Sequence, residues 1–371
     1  MELLFVVGAR PQFIKIAPIL RTIKKNYSEK IDFKILHTGQ HYDKNMSDVF
    51  FDELKISKPD KNLKVGSGSH TVQMSKMLEG CENYISKIKP DKVIVFGDTN
   101  STLAGTLAAS NLKIPVVHIE AGLRSFNMSM PEEKNRILTD HLSSYLFCPT
   151  DKAVDNLKRE GIYNKKKLKG MDNEQIIVIK CGDIMIDMIR LILKDINNTD
   201  IIIKNYPIDK NKYILATIHR ESNTDNIFRF KKILNLFNQI EEKILLLAHP
   251  RTKKIINEYN IKIPNNVLVK KPVGYEAMVI LEKNSKYIFT DSGGIQKEAY
   301  FLKKLCLTLR DETEWQETVD LGWNIIGFND KYNTLLDAYK ELKKRENKKL
   351  NHPEIYGKIN SSKKIIEALL N

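Results

Sequence analysis

The sequence predicts an α/β protein made of two doubly wound parallel sheets. Three observations predict it. Short, wholly apolar runs such as Leu3–Val7, Val93–Phe96 and Tyr287–Thr290 read as strands buried on both faces. Segments with apolar residues at helical spacing alternate with these runs, the pattern of βαβ units. The length of 371 residues exceeds one ordinary core and suits two, and a 42% hydrophobic composition can fill both.

The elements follow in order. Leu3–Val7 stops at Gly8, and Gly8-Ala9-Arg10-Pro11 is a sharp loop, with Pro11 suited to the first turn of a helix. Phe13, Ile16, Ala17, Leu20 and Ile23 mark the buried face of that helix. Arg10 is thus held in the loop and Lys15 about one turn on. Two cations at a helix N-terminus suit an anion, although a lone Lys15 is more simply a solvated helix lysine. The loop is not G-x-G-x-x-G, so the nicotinamide fingerprint is absent. Phe33–His37 is the next strand, then T-G-Q-H-Y-D, a Gly/Ser/Lys-rich connection over Lys58–His70, and a helix over Thr71–Lys89. Val93–Phe96 is stopped by Gly97, Asp98 follows, and a helix covers Asn100–Asn111. Val116–Ile119 leads into Glu120, with Gly122 for the turn. Pro131 opens a helix whose first turn holds Glu132 and Glu133, and Tyr145–Cys148 is a short strand closing this half. The charged segment Tyr163–Asp172 reads as a surface loop near a domain junction.

The pattern restarts with a strand at Ile176–Ile179, a helix over Asp183–Leu193 and a polar linker over Asn197–Lys212. Tyr213–Ile218 is a strand ending in His219-Arg220-Glu221, followed by a helix over Asn226–Ile240 and a strand, Ile244–Ala248. Val267–Val269 and Tyr287–Thr290 are further strands. The second of these runs into Asp291-Ser292-Gly293-Gly294 and a helix over Ile295–Leu302, and Leu305–Leu309 ends at Arg310. A short amphipathic helix, Ser361–Leu370, is expected to cross back to the first half. The expected organisation is a Rossmann-like domain over 1–172, joined by a helix within 353–371, and a second over 173–352. Two such units facing a central cleft form the GT-B arrangement.

Composition narrows the partners. Sixty Lys+Arg against 46 Asp+Glu give a net charge of +14, which favours anionic partners. The lysines are scattered over helical faces, and no aromatic residues interleave the Lys run near residue 165, so nucleic acid is not the expected partner. Cys81, Cys148, Cys181 and Cys306 form no C-x-x-C pair, and the last three lie in or beside apolar runs, as reduced buried thiols do. The N-terminus lacks the marks of a signal peptide and no apolar run approaches a membrane span, so the cytosol is expected. No metal constellation stands out: His37 with His41, and His118 with Glu120, lack supporting ligands at metal spacing.

Three groups carry chemistry. S-G-G between a strand and a helix suits phosphate, because glycines let backbone N–H groups approach an anion at a helix N-terminus. Glu298, one turn on, suits a ribose diol, or else is a favourably placed helix glutamate. His219, beside Arg220 at a strand end, suits a diphosphate that is protonated as it leaves, although a lone histidine is more often structural. Asp98, Glu120 and Glu132 are acids converging on one sheet edge. Close carboxylates push each other's pKa values apart, giving an acid and a base. Glu133 reads as a helix-start charge.

Together the motifs resemble the non-hydrolysing UDP-N-acetylglucosamine 2-epimerases. The likeness rests on G-A-R-P-Q-F-I-K, T-G-Q-H, G-D-T-N-S-T-L-A, H-I-E-A-G-L-R, P-E-E-K-N-R, H-R-E-S-N, D-S-G-G-I-Q-K-E-A and L-R-D-E-T-E, in order over nearly the whole chain. The resemblance implies a GT-B fold and a homodimer. It implies a cytoplasmic isomerase, acting for surface polysaccharide precursors, that inverts C2 of a UDP-linked N-acetyl amino sugar with no added cofactor and no metal. It implies UDP contacts at Arg10, Lys15, Ser292, Gly293, Gly294 and Glu298, and a catalytic set of Asp98, Glu120, Glu132 and His219. Thr313-Glu314-Trp315-Gln316-Glu317 departs from the common T-E-R-P-E, and Gly8-Ala9-Arg10-Pro11-Gln12 departs from G-T-R-P-E. Both departures resemble the branch acting on UDP-2,3-diacetamido-2,3-dideoxyglucuronate. Where a bacterial subgroup carries an activator site for UDP-GlcNAc, this chain has Gln40-His41-Tyr42-Asp43 and Ser69-His70-Thr71, so no such activation is expected. A hydrolysing relative, a GT-B glycosyltransferase and a nucleic-acid-binding protein are the competing readings.

Overall fold

A computed structural model describes residues 1–39, 54, 56–66, 68–165, 175–194, 197–357 and 360–371, without the side chains of Arg10 and of residues 197–199. The 40–43 stretch and most of the Lys-rich 163–172 segment lie outside the described residues. The chain forms two compact units, Met1–Met188 with Glu354–Asn371, and Ile189–Pro353. The fold class is α/β, two Rossmann-like units of the GT-B type.

The first unit carries a parallel sheet of β1 (Glu2–Val7), β2 (Asp32–His37), β3 (Lys61–Asn62), β4 (Lys92–Phe96), β5 (Val116–Ile119), β6 (Tyr145–Cys148) and β7 (Ile177–Lys180), in the order β3-β2-β1-β4-β5-β6-β7. Its helices are α1 (Arg10–Asn26), α2 (His70–Ile88), α3 (Asn100–Asn111), α4 (Pro131–His141), α5 (Asp151–Arg159) and α6 (Ile184–Lys194), which runs past the unit boundary. Strands β1, β4 and β5 are buried on both faces, which is why their sequences run apolar instead of alternating.

The second unit has α7 (Asn197–Lys204), β8 (Tyr213–Thr217), α8 (Glu221–Thr224), α9 (Ile227–Asn238), β9 (Lys243–Leu247), α10 (Pro250–Glu258), β10 (Val267–Lys270), α11 (Tyr275–Asn284), β11 (Tyr287–Thr290), α12 (Gly293–Phe301), β12 (Leu305–Thr308), α13 (Gln316–Asp320), β13 (Asn324–Ile326) and α14 (Leu335–Arg345). Its parallel sheet runs β10-β9-β8-β11-β12-β13. The final helix, α15 (Ser361–Leu370), packs on α1 of the first unit, and Ser362 and Asn360 donate backbone N–H groups to Asp187.

Two expectations are corrected. The strand near Ile176, read as the restart of the pattern, is β7 and pairs with β6 in the first sheet. The helix α5 makes the short crossover that a parallel seventh strand requires. The stretch 197–212, read as a polar linker, begins with α7. Its Ile201-Ile202-Ile203 run is β-branched and poor in helix propensity, but Ile203 and Ile208 are buried, so packing overrides propensity.

The order of each sheet reverses direction once: between β1 and β4 in the first, between β8 and β11 in the second. At such points the adjoining loops diverge to opposite faces and leave a crevice beyond the strand C-termini, where open α/β sheets bind ligands. Gly8-Ala9-Arg10 and Gly97-Asp98 flank the first crevice; His219-Arg220 and Asp291-Ser292-Gly293 flank the second.

Candidate active site

In the first unit the acids stand on three adjacent elements. Glu120 follows β5 with φ +74°, a left-handed conformation that costs a side-chain-bearing residue energy and persists only where the surroundings impose it. Its backbone N–H donates to the Phe147 carbonyl at 3.1 Å. The turn beyond closes at Gly122, φ +78°, where a Cβ would stand 2.3 Å from the Ala153 carbonyl oxygen. The Glu120 carboxylate pairs with the buried Lys15 ammonium. Lys15 thus stands with the acids, next to Gly97, whose hypothetical Cβ would lie 3.2 Å from both groups. The Arg10 side chain lies outside the described residues. The Gly8 and Ala9 N–H groups, in the loop before α1, donate to Gln12 Oε1 at 2.8 and 3.0 Å.

Asp98, after β4, accepts from Arg136 of α4 and keeps 31% of its side chain exposed. Glu132 in the first turn of α4 is exposed, whereas Glu133 is only 1% exposed. Glu133 accepts from the backbone N–H groups of Ser125 and Phe126 at 2.8 and 3.0 Å, from Ser125 Oγ at 2.9 Å and from Arg136 at 2.9 Å. Burial alone would push its carboxyl up, but the Ser125 and Phe126 donors and Arg136 hold it below the usual range. Glu133 is therefore a clamp on the 123–130 loop, and it shares Arg136 with Asp98.

In the second unit the Ser292-Gly293-Gly294 stretch, expected to suit phosphate, is the start of α12. Ser292 makes no side-chain cap, unlike Thr334 and Asn226 on α14 and α9, so its hydroxyl does not take up the first N–H groups of α12. Ser292 and Gly293 are half-buried and Gly294 is exposed. Glu298 is buried and accepts from Tyr275 Oη at 2.8 Å.

His219, at the end of β8, is organised by Asp291 at the end of β11. Asp291 is fully buried and accepts from the backbone N–H groups of His219 and Arg220 at 2.9 and 3.0 Å and from Asn223 Nδ2 at 2.9 Å. Its other oxygen lies 2.9 Å from His219 Nδ1, leaving Nε2 on the far side of a ring that is 39% exposed. Burial opposes the Asp291 charge, yet His219, Asn223 and the Arg220 N–H hold its carboxyl below its ordinary value. Glu314 behaves likewise: burial opposes its charge, and Arg310 with Arg220 holds its carboxyl low. Glu314 Oε1 stands 2.2 Å from where a Cβ on Gly293 would be. Trp315 is buried beside Gly293, and the Lys297 ammonium sits 4.2 Å from its ring centroid. The indole at the expected arginine's position thus carries a cation on its face.

Sequence reasoning missed Asp291, Arg136, Lys297 and Glu314 as site residues. The signal for Asp291 was present: it stands between an apolar strand and S-G-G. Arg136 could be found only from its i+3 spacing to Glu133. The four cysteines are free and buried, as expected, and burial pushes the Cys81 and Cys306 thiols up to about 12. Among the described residues, no cluster of three or more His, Cys, Asp or Glu side chains could hold a metal, and no helix is long and apolar enough to cross a membrane.

Comparison with known proteins gives one answer. The family model for UDP-N-acetylglucosamine 2-epimerase matches residues 23–370. A Methanococcus maripaludis protein described as a UDP-N-acetylglucosamine 2-epimerase homolog is 47% identical, with all of both chains covered. The UDP-2,3-diacetamido-2,3-dideoxy-D-glucuronate 2-epimerase of Pseudomonas aeruginosa is 45% identical over 88% of each chain. The crystal structure of Methanocaldococcus jannaschii UDP-GlcNAc 2-epimerase in complex with UDP-GlcNAc and UDP superposes with a TM-score of 0.86 at 42% identity, covering 100% of this chain and 99% of that one.

Proposed function

Since the chain belongs to the UDP-N-acetylglucosamine 2-epimerase family, we propose that it interconverts UDP-GlcNAc and UDP-ManNAc by eliminating and re-adding UDP. The observation that supports this reading is that two different groups of side chains stand by the reversal points of the two sheets. The first has Asp98, Glu120 and Lys15; the second has an uncapped helix start beside His219 and Arg220.

The C2 proton of the sugar is hardly acidic, so abstracting it directly is difficult. Breaking the C1–O bond first makes C1 electron-poor and acidifies the neighbouring C2–H. The α12 N–H groups and Arg220 hold the departing diphosphate, while His219, oriented through Nδ1 by Asp291, presents Nε2 to a diphosphate oxygen. Glu298 takes the ribose. Loss of the C2 proton to a carboxylate gives the glycal; return of a proton to the opposite face, with UDP recaptured at C1, gives the epimer. Asp98, Glu120 and Glu132 are the proton-handling set in this reading. Arg10 and Lys15 are UDP contacts as the family pattern has them; pairing with Glu120 gives Lys15 a second role, setting the charge around that acid. The enzyme acts as a homodimer in the cytoplasm and feeds surface polysaccharide synthesis.

A second substrate has a specific observation behind it. Trp315-Gln316 and the 45% identity to the Pseudomonas protein favour UDP-2,3-diacetamido-2,3-dideoxyglucuronate. The test is to incubate the protein with each UDP-sugar and follow the anomeric protons by NMR. A new UDP-linked epimer without accumulating free sugar supports epimerisation, and the substrate turned over faster identifies the branch. Free UDP with free sugar as the main product means hydrolysis, and no turnover of either sugar refutes the reading.

A further inference from the structure

Outside the acids lies a buried polar chain that the reaction as described does not use. His118 is on β5, two residues before Glu120, and is fully buried. Its Nε2 donates to the Gly97 carbonyl at 2.8 Å; Gly97 directly precedes Asp98. Its Nδ1 lies 2.6 Å from Asp140 Oδ1, and Asp140 belongs to α4, whose first turn carries Glu132. Asp140 Oδ2 accepts from the Gly122 N–H at 3.1 Å and from Arg124 at 2.7 Å, so it also fixes the turn that leaves Glu120. Arg124 in turn makes a two-pronged contact with Glu160, both bonds 2.6 Å. Burial opposes the Asp140 charge, but His118 and Arg124 hold its carboxyl below the ordinary range.

We infer that His118 is a positioning residue: one imidazole ties the ends of β4, β5 and α4 together and so sets the mutual placement of Asp98, Glu120 and Glu132. This rests on the reaction proposed above. Three carboxylates on three elements have no covalent reason to hold a common geometry. Glu120 in particular sits in a left-handed conformation that relaxes unless its flanks are held. The imidazole holds the flank before Glu120, and Asp140 holds the flank after it. A proton-transfer site tolerates little displacement: a misplacement of about 1 Å can cost on the order of 100-fold in rate. His118 touches neither substrate nor reacting atom in this account, so its loss leaves the groups assigned to UDP in place and is expected to spare UDP affinity.

The experiment compares His118→Asn with His118→Gln. The Asn amide reaches the Nδ1 position, keeping the Asp140 bond and losing Gly97; the Gln amide reaches the Nε2 position, keeping Gly97. Turnover, KM, UDP affinity by calorimetry and thermal unfolding are measured on each. The expected result is a roughly 100-fold fall in kcat for His118→Asn with KM and UDP affinity within about twofold. Recovery of at least about tenfold of that loss is expected in His118→Gln. If His118→Asn does not fold, Asp140→Asn replaces it with the same split expected. Rates near wild type in both variants, or a loss that follows the folded fraction or UDP affinity, overturn the role. A wild type without turnover overturns the reaction and this role with it; an active wild type with unaffected variants overturns the role alone.

Discussion

At the residue scale the account turns on what each acid touches. Asp98 and Glu120 each face a cation, Arg136 and Lys15, while Glu133 is consumed by the 123–130 loop. Asp98→Asn and Glu120→Gln are therefore expected to lower kcat by about 100-fold or more while UDP binds as before, measured by turnover and calorimetry. Lys15→Met separates two roles for one residue. Acting through Glu120, its loss lowers kcat with UDP affinity nearly kept; acting on UDP, its loss weakens UDP instead. Glu133→Gln is expected to leave donors around a buried site partly unpaired and to cost about 1–3 kcal/mol of stability, read by chemical unfolding. The acids at strand ends were legible because an apolar run followed by a charge is a pattern of sequence. Their partners were not. Lys15 and Glu120 are 105 positions apart and Asp98 and Arg136 are 38 apart, and only the order of the strands brings them together.

At the element scale the uncapped start of α12 is the feature most open to test. A Cβ on Gly293 would stand 2.2 Å from Glu314 Oε1, a carboxylate that Arg310 and Arg220 hold in place. Gly293→Ala is therefore expected to distort the cradle and weaken UDP binding about tenfold or more with little change in secondary structure, measured by calorimetry and circular dichroism. The strands at the sheet centres were legible because burial on both faces leaves wholly apolar runs: Val116–Ile119 and Tyr145–Cys148 have the bounds the sequence suggested. Strand β7 was placed in the wrong half because a charged segment precedes it and pairing partners are not written in local pattern. Helix α7 was hidden by three consecutive isoleucines, whose burial is a tertiary fact.

At the scale of the whole molecule, four carboxylates, the buried Glu133, Asp140 and Asp291 and the partly buried Glu314, are held below their ordinary values. In the unfolded chain these groups regain ordinary values of about 4 and take up protons first as the pH falls. Their stabilisation is thus fully present above about pH 5 and is lost as the pH falls below about 4 toward the folded values. The urea midpoint is expected to hold steady from pH 7 to 5 and to drop steeply below 4. A midpoint that stays level to pH 3 would contradict these ion pairs. Each of the two sheets reverses once, with Asp98 following a strand at one reversal and Ser292-Gly293 at the other. The central claim is that one set handles the C2 proton while the other keeps the departing UDP. It is tested most directly with UDP-GlcNAc carrying ¹⁸O in the C1–O–P bridge, incubated with the protein in deuterium oxide and followed by NMR. The account predicts solvent deuterium at C2 of the UDP-linked epimer and movement of the label into non-bridging positions of the β-phosphate. Epimer that keeps its original C2 hydrogen and its label in the bridge would contradict it.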